Sequence, residues 1–136
     1  MNQVKFINPD GVMKSPFFSQ AVAIGGKGKT IYIGGQNSID ADGSLIGKDD
    51  MAAQTEQIMK NIGVILESVG AGYKNIVKFN IYISEGQDAR TAFETSQKYM
   101  PATTTPPVVT AVFVAGMGNP EYLLEIEATA FISEND

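Results

Sequence analysis

The chain has 136 residues, which is one domain's worth and enough to bury roughly two-thirds of its unfolded surface without help from disulfides or metals. It contains no cysteine and no histidine, so thiol chemistry, the usual zinc ligands and every Ser-His arrangement are excluded. A net charge of −5, with Arg90 the only arginine among ten basic residues, argues against nucleic acid as the main partner. No apolar run approaches the ~20 residues of a membrane span. Met1–Phe6 lacks the pattern of a signal peptide, so a soluble cytoplasmic protein is expected.

In chain order, Val4–Asn8 reads as a short strand stopped by the turn cluster Asn8-Pro9-Asp10-Gly11. Phe17–Ile24 reads as a second strand and Thr30–Gly34 as a third. The glycine-rich run Gly25–Lys29 between them predicts a hairpin. Gly28-Lys29-Thr30 is not a phosphate loop, because Ala23 stands where the first glycine is needed and a strand follows instead of a helix. Gly34-Gly35 fits a bulge or a close approach of another group. Asp40-Ala41-Asp42-Gly43 is a turn without the later ligands of a calcium loop.

Asp49 or Asp50 can cap a helix running to about Val69, with Ala52, Ile58, Met59, Ile62, Ile65, Leu66 and Val69 at helical spacing and Gly70 beyond its end. Ile76–Ser84 alternates Val77, Phe79, Ile81 and Ile83 against Lys78, Asn80, Tyr82 and Ser84, a strand with one apolar face. Asp88 can cap a second helix over Ala89–Met100, ended by Pro101, and a threonine- and proline-rich loop follows to Pro107. Val108–Ala115 carries no charge, which predicts a strand covered on both faces. Tyr122–Ile132 is the last strand. Its face of Tyr122, Leu124, Ile126, Ala128, Ala130 and Ile132 suits a core. The opposite face sets Glu125 and Glu127 among Leu123, Thr129 and Phe131, which suits a cleft floor or a subunit contact as well as a solvated surface. Two helices on one face of a sheet of about six strands make an α+β sandwich. Its other face, apolar at Leu123, Phe131 and one side of Val108–Ala115, predicts oligomerisation.

This order of elements, with Phe18-Ser19-Gln20-Ala21, Ile31–Gln36 and Leu124–Ala130, resembles the RidA/YjgF family of small proteins. The resemblance covers nearly the whole chain, as a single domain over 1–136. It implies a chorismate-mutase-like fold and a homotrimer with a central barrel and small-molecule clefts between subunits. It also implies cofactor-free hydrolysis of enamines and imines such as 2-iminobutanoate to 2-keto acids and ammonia. The roles it implies are an arginine gripping the substrate carboxylate, a glutamate placing water or moving a proton, and a tyrosine hydroxyl.

By that resemblance Glu125 is the catalytic carboxylate, and the ligand-binding positions are Phe18, Gly34, Gly35, Phe93, Val109, Thr110 and Ala111, with no metal. The chain departs from the family at these positions. Val109 holds the arginine's place, Phe18 the tyrosine's, Gly34 a serine's and Phe93 an asparagine's. An isopropyl group cannot replace a guanidinium fork. Glu125 would repel an anionic imine, so the expected substrate is more apolar and neutral or cationic, with Glu125 as general acid/base. The alternatives are a non-catalytic ligand-binding or regulatory trimer, a trimer with collapsed clefts, and a deaminase with the family's usual substrates. Arg90 is the one arginine that could reach a neighbouring cleft, against the simpler reading of a solvated helix residue.

Overall fold

The computed structural model describes residues 3–103 and 105–134; Thr104 of the threonine-rich loop, and residues 1, 2, 135 and 136, lie outside them. In chain order the elements are β1 (Val4–Ile7), β2 (Ala21–Ile24), β3 (Gly28–Gln36), α1 (Met51–Ser68), β4 (Ile76–Ser84), α2 (Ala89–Gln97), β5 (Val108–Val114) and β6 (Leu124–Ser133). The fold is α+β, as expected. The six strands divide into a four-stranded sheet ordered β3-β6-β4-β5 and a separate β1-β2 ribbon. Strand β6 runs antiparallel to both neighbours, and β5 runs parallel to β4.

The apolar face of β6 (Leu124, Ile126, Ala128 and Ala130) packs with Phe79, Ile81 and Ile83 of β4 beneath α1 and Ala92 of α2. Helix α1 begins at Asp50, whose carboxylate accepts from the Ala53 N–H at 3.0 Å. Ile58, Met59, Ile62 and Leu66 are fully buried along its inner face. Gly70 at φ 78° ends it, with the Ala71 N–H returning to the Leu66 carbonyl at 2.9 Å. Asp88 caps α2 through the Arg90 and Thr91 N–H groups at 3.0 and 3.3 Å.

Helical spacing alone does not reveal that α1 also buries an amide. Gln54 is 0 % exposed. Its Nε2 donates to the Gly47 and Glu121 carbonyls, each at 3.0 Å, and its Oε1 accepts from the Leu123 N–H at 2.9 Å. One side chain thus ties the loop before α1 to the residues that lead into β6.

Four expectations are corrected. The strand foreseen over Phe17–Ile24 is shortened to Ala21–Ile24, because Ser19 is pulled out of any ladder. Its N–H bonds the Pro107 carbonyl at 3.0 Å and its hydroxyl the Pro106 carbonyl at 2.6 Å. The glycine-rich turn does not make a hairpin: β2 folds back onto β1, and β3 leaves to pair with β6. Leu123 and Phe131 are buried, Leu123 in the core and Phe131 against Gly28, so neither forms an exposed apolar surface. Among the described residues uncharged β5 is an edge strand paired only with β4, and Val112 and Phe113 on its two sides are 42 % and 59 % exposed.

Replacing Gln54 with leucine keeps the volume but strands the buried Leu123 N–H. We expect Gln54→Leu to lower unfolding stability by about 2 kcal/mol. Urea denaturation measures it, and a loss well under 1 kcal/mol would show that the amide is not what holds this junction.

Candidate functional site

Because Leu124 and Ile126 face the core, strand alternation turns Glu125 and Glu127 to the face of the sheet that the helices leave open. Across the β6–β4 ladder, Tyr82 stands opposite Glu125 and Asn80 opposite Glu127. Asn80 Nδ2 donates to Glu127 Oε1 at 2.7 Å. The Tyr82 hydroxyl crosses diagonally to the same oxygen at 3.0 Å. Glu125 Oε1 accepts from Asn37 Nδ2 at 3.1 Å.

On the other side of β6, strand β3 carries one extra residue. Ile33 stands opposite Ala128 and Gln36 opposite Ile126, so Gly34 and Gly35 form a bulge. Glu125 lies directly over Gly35, where an added Cβ would come within 2.7 Å of the carboxylate carbon. The second glycine is therefore needed for close approach, since even a methyl group there would displace Glu125. Gly34 has open space around it.

Tyr82, Glu125 and Glu127 line a pocket of about 330 Å³ with Val114, Gly116, Met117 and Gly118. No lysine or arginine is among these lining residues. The ion pairs among the described residues, Lys14–Asp10 and Lys48–Glu121, lie elsewhere. The hydrogen bond to Glu127 holds the Tyr82 hydroxyl above the usual tyrosine pKa of 10.0, and burial and the charges of Glu127 and Glu125 push in the same direction.

The remaining sequence-derived positions gather at the opposite edge of the sheet. Phe18 is half-buried in the loop that Ser19 fastens to Pro106 and Pro107, just before β5. Phe93 on α2 meets Phe17, not Phe18, edge to face at 5.4 Å between ring centres. Beside them, Phe17, Met100 and four prolines, with Gln97 and Thr103, line a hollow of about 370 Å³. Val109, paired with Phe79, packs half-buried against the helix-side core. Thr110 is exposed opposite Asn80, and Ala111 is exposed opposite Ile81. Arg90 is exposed at the start of α2 and does not line the Glu125 pocket. Two strand spacings, about 10 Å, separate β6 from β5. Glu125 and Gly35 thus come together in one chain, whereas the positions around Phe18, Phe93 and Val109 lie apart from them.

A family model described as Endoribonuclease L-PSP matches residues 13–132. The chain belongs to the RidA/YjgF family. It is 32 % identical over 114 residues to a RutC family protein of Pyrococcus abyssi, covering 84 % of this chain and 85 % of that one. It is also 32 % identical over 82 residues to the human 2-iminobutanoate/2-iminopropanoate deaminase, covering 60 % of this chain and 58 % of the human protein. The crystal structure of YyfB from Yersinia pestis, of the conserved Rid protein family, superimposes with a TM-score of 0.83 at 33 % identity, covering 96 % of this chain and 100 % of that one. The RidA/YjgF fold thus accounts for the sheet and the two helices.

Nothing in the sequence of this RidA/YjgF chain marks Tyr82, Asn80 and Asn37 as neighbours of the two glutamates. The alternation of Ile76–Ser84 puts Asn80 and Tyr82 on the non-core face, but only the β6–β4 register shows that they meet Glu127.

Deprotonating Tyr82 sets a phenolate beside a carboxylate, so the raised pKa means that its hydrogen bond favours the folded state at neutral pH. That contribution is lost as pH rises through the shifted value, above about 10. In Glu127→Gln the Tyr82 midpoint should fall back toward 10.0. Tyrosinate absorbance at 295 nm, with Tyr82→Phe as the blank for the other tyrosines, measures the shift. An unchanged midpoint would show that Glu127 does not hold the phenol.

Proposed function

We propose that this RidA/YjgF chain forms homotrimers that bind a small molecule in clefts between subunits. In this reading it hydrolyses an imine-type substrate that is apolar and neutral or cationic, with no metal or organic cofactor and in the cytoplasm. The observation that carries the reading is the Glu125 pocket, where a hydrogen-bonded carboxylate sits with no lysine or arginine among the lining residues. The carboxylate of a small anionic imine would meet two glutamates there. Val109, at the place the family resemblance assigns to the carboxylate-gripping arginine, offers only a hydrocarbon surface.

Assembly is supported by what one chain leaves unfinished. Strand β5 has a free edge and exposed apolar side chains, and Tyr32 on the open face is 83 % exposed. The Phe18, Phe93 and Val109 group meets a Glu125 only if a second copy brings one. In such a cleft Glu125, its orientation set by Asn37, serves as general acid/base for water attacking the imine carbon. The Phe17–Phe93 pair and the proline-lined hollow supply apolar walls. The family model's description as an endoribonuclease does not transfer, because a net charge of −5 and a single arginine are unsuited to a phosphate backbone.

With enzymatically generated 2-iminobutanoate we expect little or no acceleration of 2-ketobutyrate release, and robust turnover by the unmodified protein would overturn the substrate reading. On an uncharged imine that is turned over, Glu125→Gln should slow the reaction about 100-fold. A rate left intact would remove Glu125 from its role.

Sedimentation equilibrium at micromolar concentration should give a trimer mass. A stable monomer would eliminate the inter-subunit cleft.

A further inference from the structure

We propose that Tyr82 is the positioning residue of this pocket: together with Asn80 it fixes Glu127 as a second acceptor beside Glu125, so that the pocket takes a small cationic N–H donor such as a protonated imine or an amidine. The inference rests on the Glu125 pocket being a ligand site and adds what the ligand must carry.

Both protein donors, Asn80 Nδ2 and the Tyr82 hydroxyl, converge on Oε1 of Glu127. Two donors on one oxygen fix the plane of the carboxylate and leave Oε2 without a hydrogen-bond partner among the described residues. Glu125 repeats the arrangement, since Asn37 occupies its Oε1 while Oε2 lies over Gly35. Two oriented carboxylates, on residues about 7 Å apart along one strand face, border the same 330 Å³ space. The phenol that touches Glu127 is held in its protonated, donating form and cannot donate to an incoming anion without giving up that bond.

The ligand preferences follow from these groups. An anion is repelled by both glutamates. A cation without N–H groups relieves the charge but leaves both free oxygens unbonded. A planar cation with N–H groups does both, and charge-assisted hydrogen bonds are the strong ones. Val114, Met117 and the two glycines leave room for a short apolar substituent behind the charged head. Tyr82 needs no contact with the ligand, because it acts by holding Glu127.

The test uses the intact protein and three small probes: methylguanidinium, tetramethylammonium and acetate. Carboxyl 13C resonances of Glu125 and Glu127 should move with millimolar methylguanidinium and stay still with the other two. Tyr82→Phe, which keeps the ring, should weaken methylguanidinium binding about tenfold. Methylguanidinium should also lower the Tyr82 midpoint at 295 nm, a shift that a purely structural tyrosine would not show. Should Tyr82→Phe fail to fold, Asn80→Ala removes the other donor and is expected to give the same weakening. Equal binding of tetramethylammonium overturns the N–H requirement. Unchanged methylguanidinium affinity in the variant overturns the role of Tyr82 while leaving the site standing. No carboxyl shift with any probe removes the ligand site and this proposal together.

Discussion

The buried amide of Gln54 is the interaction on which the open face of the sheet depends. Strand β6 enters the sheet immediately after Leu123, and the Leu123 N–H is held by the Gln54 Oε1 inside the protein. Because strand side chains alternate with period two, a slip of one residue at this entry would send Glu125 and Glu127 into the core and bring Leu124 and Ile126 out. Burying two carboxylates without partners costs far more than the slip could return. The amide also holds the Gly47 and Glu121 carbonyls, so the loop before α1 and the turn before β6 reach their places together. The helix that contributes Ile58, Met59, Ile62 and Leu66 to the core therefore also sets the phase of the strand that bears Glu125 and Glu127.

The bulge in β3 is the second constraint. A regular ladder would oppose every β6 residue with a side-chain-bearing neighbour. The extra residue at Gly34-Gly35 breaks that pattern next to Glu125 and puts bare backbone beneath its carboxylate. Asn37, just past the bulge, then reaches back to Glu125 Oε1. One irregularity thus clears space for the acid and brings up the amide that orients it. On the β4 side the ladder is regular at this level, and Asn80 and Tyr82 do the same for Glu127.

What could be read from sequence followed the range of the forces involved. The Asp50 cap, the α1 core positions Ile58, Met59, Ile62 and Leu66, and the Ile76–Ser84 strand are set by local spacing, and they stand where the pattern puts them. Strand partners are not local. A glycine-rich turn after Ile24 says that the chain bends, but not that β2 turns back onto β1 while β3 goes to β6. Phe17–Gln20 has strand composition, yet Ser19 is drawn away by carbonyls almost ninety residues along the chain. Glu125 and Gly35 were legible one at a time, through the family's motifs. Their contact, and the meeting of Tyr82 with Glu127, needed the register.

The same register changes what a valine at the expected arginine position means. In the sequence, Val109 in the arginine's place reads as a subtraction that leaves Glu125 alone. In the fold, Val109 belongs to the rim of the helix-side core, while the pocket at Glu125 contains Glu127 and a phenol that the sequence placed on no site. The pocket has therefore not become merely apolar. It combines two acceptors with no cation to neutralise them, each steadied by an amide that donates to one oxygen only. Two like charges on one face attract a positive group, and no lysine or arginine lines the pocket. In the proposed reading, the charge balance is completed by a ligand that brings its own cation.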